Sequence, residues 1–345
     1  MKKLLIIIIV ALITSVTLGW YFTGNTQNKS AGTQLKSSNN LVGNTIDVSL
    51  PFADLTIPYL RSRSYGGIFG ERKLYQKKEG YDSYLTSYTS DNLKINGLLT
   101  IPSGKAPDTG WPAVVFVHGY IPPTLYKTTE KYLEYVDYLA KNGVIVFKID
   151  LRGHGTSDGE PGGAYYSSDY VIDVLNAYEA LKSTDNINVN KIGLWGHSMA
   201  GNVLFRAATI KKDIPTVVIW AGAVYTYSDL TKYGIQDNSY RPAGMTAQRQ
   251  KRRQELFDTH GQFSESSDFW KKVVGTNYLE GVSTKFYLHH AIDDNVVDIG
   301  YSRDLTVELA KQNIPHELYE YKTGGHNIAS PSFGTAIKRS LESLK

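Results

Sequence analysis

The sequence predicts an α/β fold: a mostly parallel central sheet with helices on both faces. Two observations carry that prediction. Short β-branched runs alternate with longer segments of helical period, the signature of successive βαβ units. Glycine-rich turns follow several of the apolar runs, where such a sheet presents the carboxyl ends of its strands. In chain order, strands are expected over Leu93 to Ile101, Ala113 to Val117, Val144 to Asp150, Lys191 to Trp195, Thr216 to Trp220, Lys285 to His289 and His316 to Tyr321. Helices are expected over Lys131 to Lys141, Tyr170 to Lys182, Ala200 to Ala208, Tyr301 to Gln312, and from Ser332 onward. The rhythm breaks between Ala221 and Thr284, where Tyr225, Tyr227, Tyr233, Tyr240, Trp270 and Tyr278 surround a basic helical segment, Gln248 to Arg253. That stretch, 221–284, reads as a helical insertion, a lid placed after the sixth strand, because long excursions in compact domains are usually functional. The competing reading is a longer helical connection with no part in substrate choice.

Ahead of this body, Lys2 and Lys3 precede an apolar run from Leu4 to Phe22 broken only by Thr14, Ser15, Thr17 and Gly19. That run is just long enough to span a bilayer as a helix. Residues 1–23 are therefore expected to be a membrane anchor or signal peptide, 24–49 a flexible polar linker, and 50–345 one globular domain. The leading charges place the N-terminus in the cytoplasm. The expected location is the cell membrane, single-pass with the domain outside the cytoplasm, or secreted if the segment is cleaved.

Composition narrows the chemistry. With 37 basic and 33 acidic residues and a net charge of +4, the chain has no basic run of the kind that binds nucleic acid. It has no cysteine, which excludes disulfides, thiolate metal sites and a cysteine nucleophile.

The strongest motif is Gly196-His197-Ser198-Met199-Ala200, set between a predicted strand and a predicted helix. A sharp strand-to-helix turn projects the serine hydroxyl and aims the following backbone N–H into the site. A base is expected from the loop after the last strand, where Gly324 and Gly325 permit a tight turn bearing His326. An acid is expected after the strand ending at His289, where Asp293 and Asp294 compete for the role of orienting the imidazole. At the end of an earlier strand, His118-Gly119-Tyr120 lets the backbone turn inward. The N–H groups of Tyr120 and Met199 are thus the expected oxyanion donors, with His118 holding the loop. The loop Asp150 to Gly159 matches neither a dinucleotide fingerprint nor a P-loop, and Arg152 and Asp158 are expected to brace the site. Nothing in these motifs calls for a metal or a cofactor.

Together these segments resemble the α/β-hydrolase superfamily of serine hydrolases. The chain looks most like the prolyl oligopeptidase (S9) catalytic domain and the bacterial dipeptidyl aminopeptidase and acylaminoacyl-peptidase-like proteins, from roughly Tyr81 onward. In that family the acid lies four residues after the histidine of a His-Gly-x-x-Asp-x-x-Val-Pro segment, which maps onto His290 and Asp294. Ala291 and Asp298 depart from that pattern, as does Ala200 from the usual second glycine of the elbow. The resemblance implies a Ser198, Asp294, His326 triad cleaving a small ester, an acyl group or a short peptide, as peptidase or carboxylesterase. A catalytically silent, membrane-tethered binding module on the same fold is the alternative. The region before the hydrolase-like core is too short for the several four-stranded blades of a β-propeller.

Overall fold

The computed structural model describes residues 50–237 and 246–345. The expected anchor and linker, and Tyr240, lie outside the described residues. Among those described, no helix is long and apolar enough to cross a membrane.

Nine strands form one sheet in the order β1-β2-β3-β5-β4-β6-β7-β8-β9. They are β1 (Lys73–Lys78), β2 (Tyr81–Ser90), β3 (Leu93–Pro102), β4 (Trp111–Val117), β5 (Ile145–Ile149), β6 (Ile187–His197), β7 (Thr216–Trp220), β8 (Lys285–Ala291) and β9 (His316–Tyr321). From β5 to β9 across the sheet every pairing is parallel, and β1, β2 and β3 are antiparallel. This is the α/β-hydrolase arrangement that the sequence predicts. The parallel strands β4 and β5 are buried on both faces, as continuous apolar runs covered by helices should be.

Two strands escaped the sequence reading. β2 turns Tyr81, Ser83, Thr86, Tyr88 and Ser90 inward, so small polar residues blur its alternation. β1 is almost wholly exposed and has no apolar face to betray it. A two-residue turn, Asp91-Asn92, with φ of 50° and 66°, joins β2 to β3, where the twist of a hairpin requires left-handed backbone. The 221–284 excursion follows β7, the seventh strand of the sheet and the fifth of those expected from the sequence, rather than the sixth.

Helices α1 (Ile57–Ser62), α2 (Leu133–Lys141), α3 (Asp169–Leu181) and α4 (Ala200–Ile210) precede the excursion. α3 and α4 are buried on nearly every side, as helices sandwiched against a sheet are. The excursion holds α5 (Tyr227–Tyr233), α6 (Ala247–His260) and α7 (Asp268–Val273), and α8 (Gly300–Lys311) and α9 (Phe333–Leu344) complete the domain. α2 starts later than its periodicity predicts, because Lys131 and Tyr132 adopt φ of 54° and 57° and leave the helical path.

Candidate active site

β6 ends at His197 and α4 begins at Ala200, with Ser198 between them at a φ of 56°. A non-glycine residue in that left-handed region costs about 1–2 kcal/mol. Two hydrogen bonds hold it there: Ser198 N–H donates to Trp220 C=O at 2.8 Å, and Gly201 N–H to Ser198 C=O at 2.8 Å. The small residues around the turn have identifiable work. A Cβ on Gly196 would sit 2.7 Å from Ala200 Cβ, and one on Gly201 would sit 2.6 Å from Gly222 Cα. Ala200 is accommodated because Gly196 faces it without a side chain. Met199 is buried, and its amide immediately follows the half-buried Ser198.

The loop after β9 returns through Gly324 and Gly325, at φ of 135° and 58°, into a single 3-10 turn, Gly325–Asn327, that carries His326. His326 Nδ1 lies 2.9 Å from Asp294 Oδ2. The Asp294 carboxylate is fully buried. Its Oδ1 accepts the Val296 and Val297 N–H groups at 2.9 and 3.0 Å, and its Oδ2 also lies 3.3 Å from His290 Nε2. Burial alone would raise the Asp294 pKa, but the hydrogen bonds from His290 and His326 hold it well below the usual carboxylate range. An ionised Oδ2 requires His326 Nδ1 to donate. His326 Nε2 is then the nitrogen left to accept a proton.

Asp293 takes a different part. Its exposed carboxylate accepts Gly325 N–H at 2.8 Å and Gly324 N–H at 3.3 Å, tying the turn that bears His326 to the end of β8. Adjacent acids thus serve one histidine: Asp294 meets its ring, and Asp293 its loop.

Ser198, His326 and Tyr120 line one cleft of about 330 Å³, together with Tyr132, Val296 and Asp237. Among the described residues no hydrogen bond joins Ser198 Oγ to His326. The wall of the cleft also holds a network that the sequence does not predict. Gly119 N–H donates to Tyr132 Oη at 3.0 Å, Tyr132 Oη lies 2.8 Å from His197 Nδ1, and His197 Nε2 lies 2.8 Å from His326 C=O. Since Nε2 faces a carbonyl it carries the proton, and Nδ1 accepts from the Tyr132 hydroxyl. Burial, reinforced by the neighbouring His326 ring, pushes the His197 pKa down to about 3, so the ring is neutral. The network joins the Gly119-Tyr120 loop, the elbow and the histidine loop. Gly119 is required because a Cβ there would meet Tyr132 Oη at 2.7 Å. Tyr132 gave no signal in the sequence, where it reads as part of a helix.

His118 is buried against the loop, with Nδ1 2.7 Å from Gly119 C=O and Nε2 3.1 Å from Asp150 C=O, the holding part expected of it. Arg152 and Asp158 act further away. Arg152 pairs with the fully buried Asp173 of α3 at 2.7 Å, and Asp158 accepts the Lys94 N–H at 2.9 Å. They fasten the loop to α3 and β3, and neither lines the cleft.

The excursion's aromatic residues largely pack elsewhere. Tyr227 and Trp270 join Leu55, Leu256 and Phe269 in a separate apolar cluster. Among the described residues, the excursion's contribution to the cleft is Asp237. A larger cavity, about 820 Å³, lies between α5, α7 and α8 and shares no lining residue with the cleft. Among the described residues, no cluster of three or more His, Asp or Glu side chains is arranged to hold a metal ion.

Comparison with known proteins agrees with this architecture. The family model described as serine aminopeptidase, S33, matches residues 111–242, which include the Gly119 turn and the Ser198 elbow. The uncharacterized peptidase YuxL of Bacillus subtilis (strain 168) is 24% identical over 255 residues, covering 70% of this chain and 35% of that protein. The thiohydrolase aneE of Aspergillus aculeatus is 28% identical over 131 residues, covering 38% of each. The chain therefore spans little more than a third of the length of these curated relatives. Among solved structures, the acetyl xylan esterase from Paenibacillus sp. R4 superposes with a TM-score of 0.59 at 16% identity, covering 83% of this chain and 91% of that one. The Pyrococcus horikoshii acylaminoacyl peptidase gives a TM-score of 0.56 at 20% identity, covering 77% and 42%. At such identities the structural likeness establishes the fold alone.

Proposed function

We propose that this chain, an α/β-hydrolase, is a serine hydrolase that cleaves an ester or amide bond through an acyl-enzyme. The observation that carries the reading is the 2.9 Å contact of His326 Nδ1 with a buried, ionised Asp294, in the loop whose histidine shares a cleft with Ser198. In this mechanism Ser198 Oγ attacks the substrate carbonyl and its proton passes to His326 Nε2. The imidazolium so formed is stabilised by Asp294, which stays ionised throughout. The N–H groups of Tyr120 and Met199 receive the developing oxyanion. Collapse expels the alcohol or amine with the proton returned by His326, and a water repeats the sequence to free Ser198.

The substrate class is a small ester, an acyl group or a short peptide. A cleft of about 330 Å³ stands near the lower end of ligand pockets, roughly 300–1,000 Å³. It has room for a compact acyl group. The S33 peptidase model, the peptidase relative and the esterase neighbours favour this range of substrates without choosing within it.

The test is labelling with a fluorophosphonate probe. Wild-type protein is expected to label and Ser198→Ala is not; equal labelling of both removes the assignment. No labelling of folded wild type would instead favour the silent binding module. A panel of p-nitrophenyl esters and aminoacyl and acyl-aminoacyl anilides then separates esterase from peptidase.

A further inference from the structure

His290, near the end of β8, is fully buried and takes no direct part in the mechanism above. Its ring lies between the turn that bears Asp294 and the first turn of α8. Nε2 is 2.9 Å from Val297 C=O and 3.3 Å from Asp294 Oδ2. Nδ1 is 2.8 Å from Ser302 Oγ, itself buried. Both neighbours of Nε2 are acceptors without a proton of their own, so a neutral ring must carry its hydrogen on Nε2. Nδ1 is then an acceptor, and the only hydrogen available to it from Ser302 is that of the hydroxyl.

We infer that His290 is a positioning residue: its Nε2–H, in a tautomer fixed by Ser302, holds Asp294 from the side away from His326. The inference rests on the triad reading. Oδ1 of Asp294 is occupied by the Val296 and Val297 amides, and Oδ2 is shared between two imidazoles. Without His290 the carboxylate keeps one side-chain donor, and Val297 C=O loses a buried partner. The carboxylate plane is then less restrained, and the orientation of His326 loosens with it. Because His290 does not line the cleft, substrate binding should be untouched while the chemical step slows.

Paired amide substitutions in the full-length protein separate this from a packing role. In His290→Gln the amide nitrogen reaches the place of Nε2 and keeps the donor. In His290→Asn the amide reaches only the place of Nδ1, so the Ser302 contact survives and the donor to Asp294 is lost. With p-nitrophenyl acetate, His290→Asn is expected to lose kcat on the order of 10- to 100-fold, by analogy with the loss of a hydrogen-bonding partner that orients a metal-ligating side chain. Its KM should stay within about 2-fold, and His290→Gln should retain most of the wild-type kcat. Equal kcat for the Asn variant and wild type, or a loss carried mainly by KM, overturns the inference.

A second readout does not depend on activity. Long-range ¹H–¹⁵N correlation of the histidine rings is expected to show His290 with a protonated Nε2 and a bare Nδ1. The opposite tautomer overturns the inference even if hydrolysis is confirmed. If wild-type protein proves inactive, the triad reading fails at that step, and the tautomer still decides the placement of His290.

Discussion

Asp293 and Asp294 are adjacent, and the separate parts the fold gives them lead to opposite predictions for the same chemical change. In Asp294→Asn, the amide oxygen can keep the Val296 and Val297 N–H groups on the Oδ1 side. The amide nitrogen then occupies the Oδ2 position, facing His326 Nδ1 at 2.9 Å. Two donors cannot face each other, so His326 must move its proton to Nε2. That places a hydrogen toward Ser198 where a lone pair is needed. Loss of the correct tautomer in a Ser-His-Asp triad costs about four orders of magnitude in kcat, or about 5 kcal/mol of barrier. In Asp293→Asn the amide oxygen still accepts Gly325 N–H, and what is lost is the charge assistance of an exposed bond. That is worth about 1 kcal/mol, so kcat should stay within roughly 10-fold. The assay is steady-state hydrolysis of p-nitrophenyl acetate by both variants, with circular dichroism to establish that each is folded. The reasoning is refuted if folded Asp293→Asn loses as much kcat as Asp294→Asn, or if Asp294→Asn loses less than 10-fold.

Three further outcomes follow from other contacts. Burial holds His118, His197 and His289 at pKa values of about 3 and His154 at about 4, against 6.5 in the unfolded chain. Between those limits the unfolded chain binds more protons. The stability these rings confer is therefore complete above about pH 6.5 and is withdrawn as pH falls, at about 1.4 kcal/mol per ring and pH unit. Unfolding followed by far-ultraviolet circular dichroism should occur by about pH 4, and a native spectrum retained at pH 4 would contradict it. Gly119→Ala drives a methyl to within 2.7 Å of Tyr132 Oη and displaces the Tyr120 amide; kcat is expected to fall on the order of 100-fold, as for loss of an oxyanion donor. Arg152→Leu leaves Asp173 buried without its cation and should cost about 3–5 kcal/mol in urea unfolding, most of it recovered in the double variant with Asp173→Leu.

What the sequence determined by itself is what local chemistry encodes. Apolar period and β-branched runs located every strand from β3 to β9, most plainly the buried parallel strands β4 and β5, whose continuous apolar runs are covered by helices. Glycines marked the turns at 119, 196, 324 and 325, because each stands where a side chain would collide or where φ is positive. Type and chain order nominated Ser198, His326 and an acid at 293 or 294. The His290-x-x-x-Asp294 spacing of the family resemblance chose Asp294 for the ring, but no spacing showed that Asp293 would tie down the histidine loop. That depends on which carboxylate the β8 turn directs inward, a matter of packing against α8 and the histidine loop. Tertiary structure alone placed Tyr132, His197 and His290. Their hydrogen bonds join residues 65, 129 and 12 positions apart, respectively, and no local pattern records such partners. The same holds for β1, which has no apolar face, and for β2, whose buried Tyr81 and Tyr88 alternate with small polar residues; the antiparallel edge they extend sets their place in the sheet.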